Sequence, residues 1–125
     1  MKDMKVLVVE DENIVALDIK NKLKSLGFVV LPVISSGEEA IEKAYEYGPD
    51  LILMDIMLKG KIDGIAAAKK ILETLKIPII YITANTHIEI VERAKKIENC
   101  KYIIKPFHEK ELENTIKLLL KLNIN

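Results

Sequence analysis

Two hydrophobic rhythms alternate along the chain. Lys5, Val6, Leu7, Val8 and Val9 form a short β-branched run with no helical period, the pattern of a strand buried on both faces. Over residues 13–26 the rhythm changes. Ala16, Ile19, Leu23 and Leu26 recur at helical spacing, and Gly27 follows where a helix C′ residue belongs. Residues 28–33 return to strand composition, but Pro32 cannot donate to a ladder, which predicts an edge strand. Two overlapping capping boxes, Ser35 with Glu38 and Ser36 with Glu39, then introduce a helix through Tyr45, and Gly48-Pro49 stops it.

The alternation continues to the end of the sequence. Residues 51–54 form a third apolar run, residues 66–75 a helix entered through Asp63-Gly64, and residues 79–82 a fourth run opened by Pro78. Ile90, Val91, Ala94 and Ile97 mark a further helix, residues 102–104 a fifth strand, and Leu112, Ile116, Leu119 and Leu120 a last helix. Five βα units in strict alternation predict one α/β domain: a doubly wound parallel sheet covered by helices on both faces. The domain is expected to occupy residues 1–125, with its core over about residues 4–122 and no output domain attached.

Charge and cysteine content narrow the function classes. Lysine plus arginine and aspartate plus glutamate number 19 each and are interspersed, which argues against direct nucleic-acid binding or a membrane surface. The apolar runs are too short for a signal peptide or a bilayer span, so a cytoplasmic protein is expected. The single Cys100 cannot form an internal disulfide and is expected to be a small buried hydrophobe.

The informative residues are polar ones that end the strands. Glu10-Asp11 follow the first, Asp55 the third, Thr83 the fourth and Lys105 the fifth, while the second contributes nothing comparable. Doubly wound sheets bind ligands beyond the carboxyl ends of their strands, where strand order reverses. In the flavodoxin-like order 2-1-3-4-5 that point lies between strands one and three, which carry the acids. Three crowded carboxylates repel one another and call for a hard divalent cation. Magnesium fits, because it takes one or two carboxylates, keeps waters and accepts a phosphate oxygen. A carboxylate beside a cation, a lysine and a hydroxyl can attack phosphorus to give an aspartyl phosphate, and Asp55, at the end of a buried strand, is best placed to do so. No Walker-type loop is present, so the phosphoryl donor must come from elsewhere.

These motifs resemble the receiver domain of response regulators over almost the whole chain. Val-Val-Glu10-Asp11-Glu is similar to that family's acidic pair, Leu-Ile-Leu-Met-Asp55 to its phosphoacceptor strand, Tyr-Ile-Thr83-Ala84 to its hydroxyl motif and Ile-Ile-Lys105-Pro106-Phe107 to its lysine-proline signature. The resemblance implies that Asp11 and Asp55 ligate magnesium, for which manganese could substitute, with Glu10 acting through a water and the Met57 backbone carbonyl supplying a further ligand. It implies that Lys105 holds the phosphoryl group, and that Thr83 and Tyr102 form a switch. That switch would reshape the surface of the helix over residues 90–97, the fifth strand and the last helix. The implied donor is a phosphohistidine on a sensor histidine kinase or phosphotransfer protein, and the output a downstream protein partner.

Several positions depart from the family pattern. The loop from Asp55 to Gly64 lacks the proline often found in the family four residues after the acceptor and is one residue longer than its commonest version, and Glu10 stands where Asp is commoner. Met57 and Asn85 occupy positions that, in the family the chain resembles, modulate access of water to the acyl phosphate. His87 and His108 read as exposed helix-start residues. The competing function is a pseudo-receiver, an interaction module that turns over no phosphate. A phosphatase of the haloacid dehalogenase type is disfavoured because Glu10-Asp11-Glu12-Asn13 is not a DxD motif.

Overall fold

In the computed structural model, residues 3–84, 89, 93 and 100–124 are described. The elements run β1 (Lys5–Val9), α1 (Asn13–Ser25), β2 (Val29–Val30), α2 (Gly37–Tyr47), β3 (Leu51–Asp55), α3 (Gly64–Leu72), β4 (Ile79–Thr83), β5 (Cys100–Ile104) and α4 (Glu109–Ile124). The helix expected over residues 90–97 lies outside the described residues, apart from Arg93. All strand pairings are parallel, and the sheet order is β2-β1-β3-β4-β5, as the pattern predicted.

The continuous apolar runs have a simple cause: both faces of the central strands are covered. Leu7, Val9, Ile52, Met54, Ile79 and Tyr81 face Ala40 and Ala44 of α2 and Ile65, Ala68 and Ile71 of α3. Their chain neighbours Val6, Val8, Leu51, Leu53, Ile80 and Ile82 face Ile19 and Leu23 of α1 and Leu112, Ile116 and Leu119 of α4. Each fully buried aliphatic side chain contributes roughly 1.5–3 kcal/mol, so the sheet centre is the most strongly held part of the fold.

Several boundaries differ from expectation. β2 is an edge strand as predicted, but it spans only two residues rather than the whole of residues 28–33. Leu31 N donates to Val6 O and Ile34 N to Val8 O, so three steps along the edge match two along β1. The segment around Pro32 absorbs the extra residue and rejoins the sheet at a single bridge, Val9 with Ile34. α2 uses the second capping reading: Ser36 accepts from Glu39 N at 3.1 Å, and the helix runs to Tyr47 before Gly48 turns left-handed at φ 56°. α3 begins at Gly64 with Asp63 as its cap and stops at Leu72, three residues short of expectation. There Thr74 N folds back onto Ile71 O and the chain extends toward Pro78.

Candidate functional site

The register of the sheet lines up the ends of its strands. Val9 pairs with Met54, Asp55 with Ile82 and Thr83 with Ile104, so Glu10, Asp11, Asp55, Thr83 and Lys105 gather at one edge. Backbone bonds fix each position. Glu10 N donates to Ile34 O at 2.8 Å, Ile56 N to Ile82 O at 3.0 Å and Lys105 N to Thr83 O at 2.8 Å. The peptide between Lys105 and Pro106 is cis.

The acidic side chains converge as the sequence implied. Glu10, Asp11 and Asp55 each place a carboxylate oxygen within 4.8 Å of the others. Glu10 is 2 % exposed and Asp55 3 %, whereas Asp11 is half-buried. Lys105 Nζ lies 3.0 Å from Glu10 Oε1 and 3.6 Å from Asp55 Oδ2. Backbone amides also bind these acids. Glu12 N donates to Glu10 Oε2 at 3.1 Å, Met57 N to Asp55 Oδ1 at 3.2 Å and Lys59 N to Asp11 Oδ2 at 3.1 Å.

Electrostatics follow from this crowding. Burial pushes the Glu10 carboxyl up to about 7, and the Asp55 charge adds to the effect; the bond from Lys105 opposes it without cancelling it. Lys105 is held above its ordinary value: burial disfavours its charge, but the bond to Glu10 and the Asp55 carboxylate more than compensate. Among the described residues, one ammonium faces three carboxylates in the pocket. The donors are all hard oxygens, so the residues present fit a magnesium-like divalent ion.

The other expected residues fall as follows. Thr83 is fully buried, the last residue of β4. Met57 has an exposed side chain, and its amide binds Asp55. Tyr102 is half-buried and packs on the core face shared with α2 and α3, beside Tyr81 in register. His108 is exposed, and its carbonyl accepts from Leu112 N at the start of α4. Asn85 and His87 lie outside the described residues. Cys100 is half-buried rather than fully enclosed, and burial pushes its thiol up to about 11. A cleft of about 530 Å³ lined by Val15, Ile19, Pro106 and Phe107 reaches Lys105.

Three residues around the site escaped sequence reasoning. Glu38 reaches from α2 to accept from Ile62 N at 3.1 Å in the loop after Asp55. Gly64 lies so close to the Asp55 carbonyl that a Cβ there would sit 2.1 Å from the oxygen. Arg93 Nη1 binds Asp63 Oδ2 at 2.9 Å. The doubled capping-box pattern at Ser35 and Ser36 was the one available signal, since it left one of the two glutamates without a local task.

Comparison with known proteins gives a consistent answer. Residues 6–117 match the family model described as response regulator receiver domain. The transcriptional regulatory protein PdtaR of Mycobacterium tuberculosis is 34 % identical over 114 residues, covering 91 % of this chain and 55 % of that protein. The chain thus spans about half the length of the curated relatives it matches. Among solved structures, the signal receiver domain of a modulated diguanylate cyclase from Desulfovibrio desulfuricans has a TM-score of 0.86 at 36 % identity, covering 95 % of each chain. The receiver domain of sensor histidine kinase PA1611 from Pseudomonas aeruginosa, with a magnesium ion coordinated in its active-site cleft, has a TM-score of 0.84 at 30 % identity, covering 95 % of this chain and 98 % of that one.

Proposed function

The chain belongs to the response regulator receiver domain family of two-component systems, and on that premise we propose that it is a phosphoryl-accepting switch with Asp55 as the acceptor. The observation that carries the proposal is the convergence of Glu10, Asp11 and Asp55 within 4.8 Å, with the Lys105 ammonium 3.6 Å from Asp55. Asp55 and Asp11 would hold magnesium directly, with Glu10 reaching it through a water and the Met57 carbonyl adding a ligand. Bound there, magnesium supplies charge neutralisation for a transferring phosphoryl group. The magnesium in the cleft of the PA1611 receiver supports this assignment.

The chemistry is a displacement at phosphorus. An Asp55 Oδ atom attacks the phosphoryl group of a phosphohistidine on a sensor histidine kinase or phosphotransfer protein. An O–P bond forms, the N–P bond breaks, and the imidazole leaves with the electron pair and takes up a proton. Lys105, already paired with acids at the ends of two strands, turns its charge toward the phosphoryl oxygens. Thr83 lies at the neighbouring strand end, where its hydroxyl would meet the new dianion, and Tyr102 would respond by packing inward. A dianion shifts such an equilibrium only by contacting its two states differently. The consequence would be read by a downstream protein partner at the face of β5 and α4.

The test is mass spectrometry after incubation with acetyl phosphate, with and without magnesium. One added phosphoryl group that requires magnesium and vanishes in Asp55→Asn is expected. Equal labelling of that variant would reject Asp55 as acceptor. A wild-type chain that is never labelled would instead make the protein a pseudo-receiver.

A further inference from the structure

The loop over residues 56–63 joins the proposed acceptor to α3, and carboxylates bind the backbone amides of Met57, Lys59 and Ile62. Met57 N is bound by Asp55 and Lys59 N by Asp11, the two acids that would also hold the cation. A divalent ion bound by those carboxylates would share their oxygens with the loop amides, so these two ties depend on how the site is filled. The third tie involves none of the acids that would hold the cation. Glu38 Oε1, on the first turn of α2, accepts from Ile62 N at 3.1 Å.

A second observation places Glu38 against the same loop. Gly60 has φ 114°, a region that favours glycine, and a Cβ built on it would lie 3.1 Å from Glu38 Oε2. The Ile62 side chain in turn packs on Gly37, where a Cβ would come within 2.9 Å of its Cγ1. The far end of the loop is therefore seated on the start of α2 by a hydrogen bond, a close backbone approach and an apolar contact. Ser36 and Glu39 complete the helix cap without Glu38, leaving its carboxylate available for this contact.

We propose that Glu38 is a positioning residue for the phosphoacceptor site, anchoring the loop from outside so that the Met57 backbone stays in place when Asp11 and Asp55 turn to a divalent cation. The inference rests on the magnesium-dependent reading of Asp55. It gives the loop a fixed point independent of the cation's own ligands.

The experiment is a magnesium titration of the full ¹⁵N-labelled chain followed by NMR, with amide hydrogen exchange at Ile62 measured in parallel. Wild type, Glu38→Ala and Glu38→Gln are compared. Glu38→Ala is expected to lose Ile62 protection and to weaken magnesium binding about tenfold, the lower end of what loss of an outer-shell partner costs. Glu38→Gln keeps an acceptor oxygen and should retain most of both properties. If Glu38→Ala loses protection while its titration matches wild type, or keeps protection altogether, the positioning role is overturned. A wild-type chain whose Asp11, Asp55 and Met57 amides ignore magnesium rejects the metal site itself, and the proposal falls with it.

Discussion

Lys105 Nζ sits closer to Glu10, at 3.0 Å, than to Asp55, at 3.6 Å, although the two chain positions of the pair are 95 residues apart. The lysine therefore spans the site rather than serving the acceptor alone. Glu10 is nearly inaccessible to water, so removing its partner leaves a charge with little to solvate it.

Lys105→Met should consequently destabilise the metal-free protein by about 3 kcal/mol at pH 8, where Glu10 must either remain charged without its partner or take up a proton. Near pH 5.5 Glu10 already carries a proton, and the loss should shrink to about 1 kcal/mol. Urea denaturation in EDTA at the two pH values measures the difference. Equal losses would mean that the pair contributes nothing specific.

The raised carboxyl of Glu10 also sets a pH dependence for the wild-type chain. The unfolded chain releases this proton near the ordinary value of 4.5, but the folded chain holds it to about 7. Between those values the native state binds more protons, so stability falls as pH rises, by an amount on the order of 3 kcal/mol from this group. Glu10→Gln removes the slope. Saturating magnesium should remove it too, because the ion takes over the neutralising role of the proton. Urea unfolding from pH 4.5 to 8 in EDTA and in magnesium tests both statements, and a metal-free stability that climbs with pH in parallel for wild type and Glu10→Gln would sink them.

How much of this was legible follows from the range over which each feature is decided. The strand-end row of Glu10, Asp11, Asp55, Thr83 and Lys105 could be read because each polar residue interrupts or closes an apolar run, and parallel registry then brings the ends together. The length of β2 could not be read, because it depends on how Leu31 and Ile34 match Val6 and Val8 across an extra residue. Glu38 follows a helix-start pattern locally, yet a partner 24 positions away claims its side chain. Gly64 looked like part of a turn and is instead the first residue of α3, admitted there because only a residue without a side chain fits against β3.

That last contact makes a sharp prediction. A Cβ at residue 64 would lie 2.1 Å from the Asp55 carbonyl oxygen and 2.9 Å from Met54 Cγ, and a backbone atom cannot rotate away. Gly64→Ala, which would raise helix propensity at an open site, should here cost about 3 kcal/mol by forcing α3 from the strand. Thermal or urea unfolding of the variant checks the sign. A neutral or stabilising result would show that the β3 end yields to the helix more readily than its packing implies.

Asp63 carries two loads that substitution can separate. Its Oδ1 accepts from Ala66 N at 2.8 Å, capping α3, and its Oδ2 meets Arg93 Nη1 at 2.9 Å. Asp63→Asn keeps an acceptor for the cap and loses the ion pair, so it should cost about 0.5 kcal/mol or less, as exposed pairs do. Asp63→Ala loses both and should cost about 1–1.5 kcal/mol, most of it from the cap. Arg93→Ala on the wild type should match Asp63→Asn, and adding it to Asp63→Ala should change little further, since the partner is already gone. Urea midpoints for the four variants close the cycle. If Arg93→Ala costs as much as Asp63→Ala, the ion pair rather than the cap holds the start of α3.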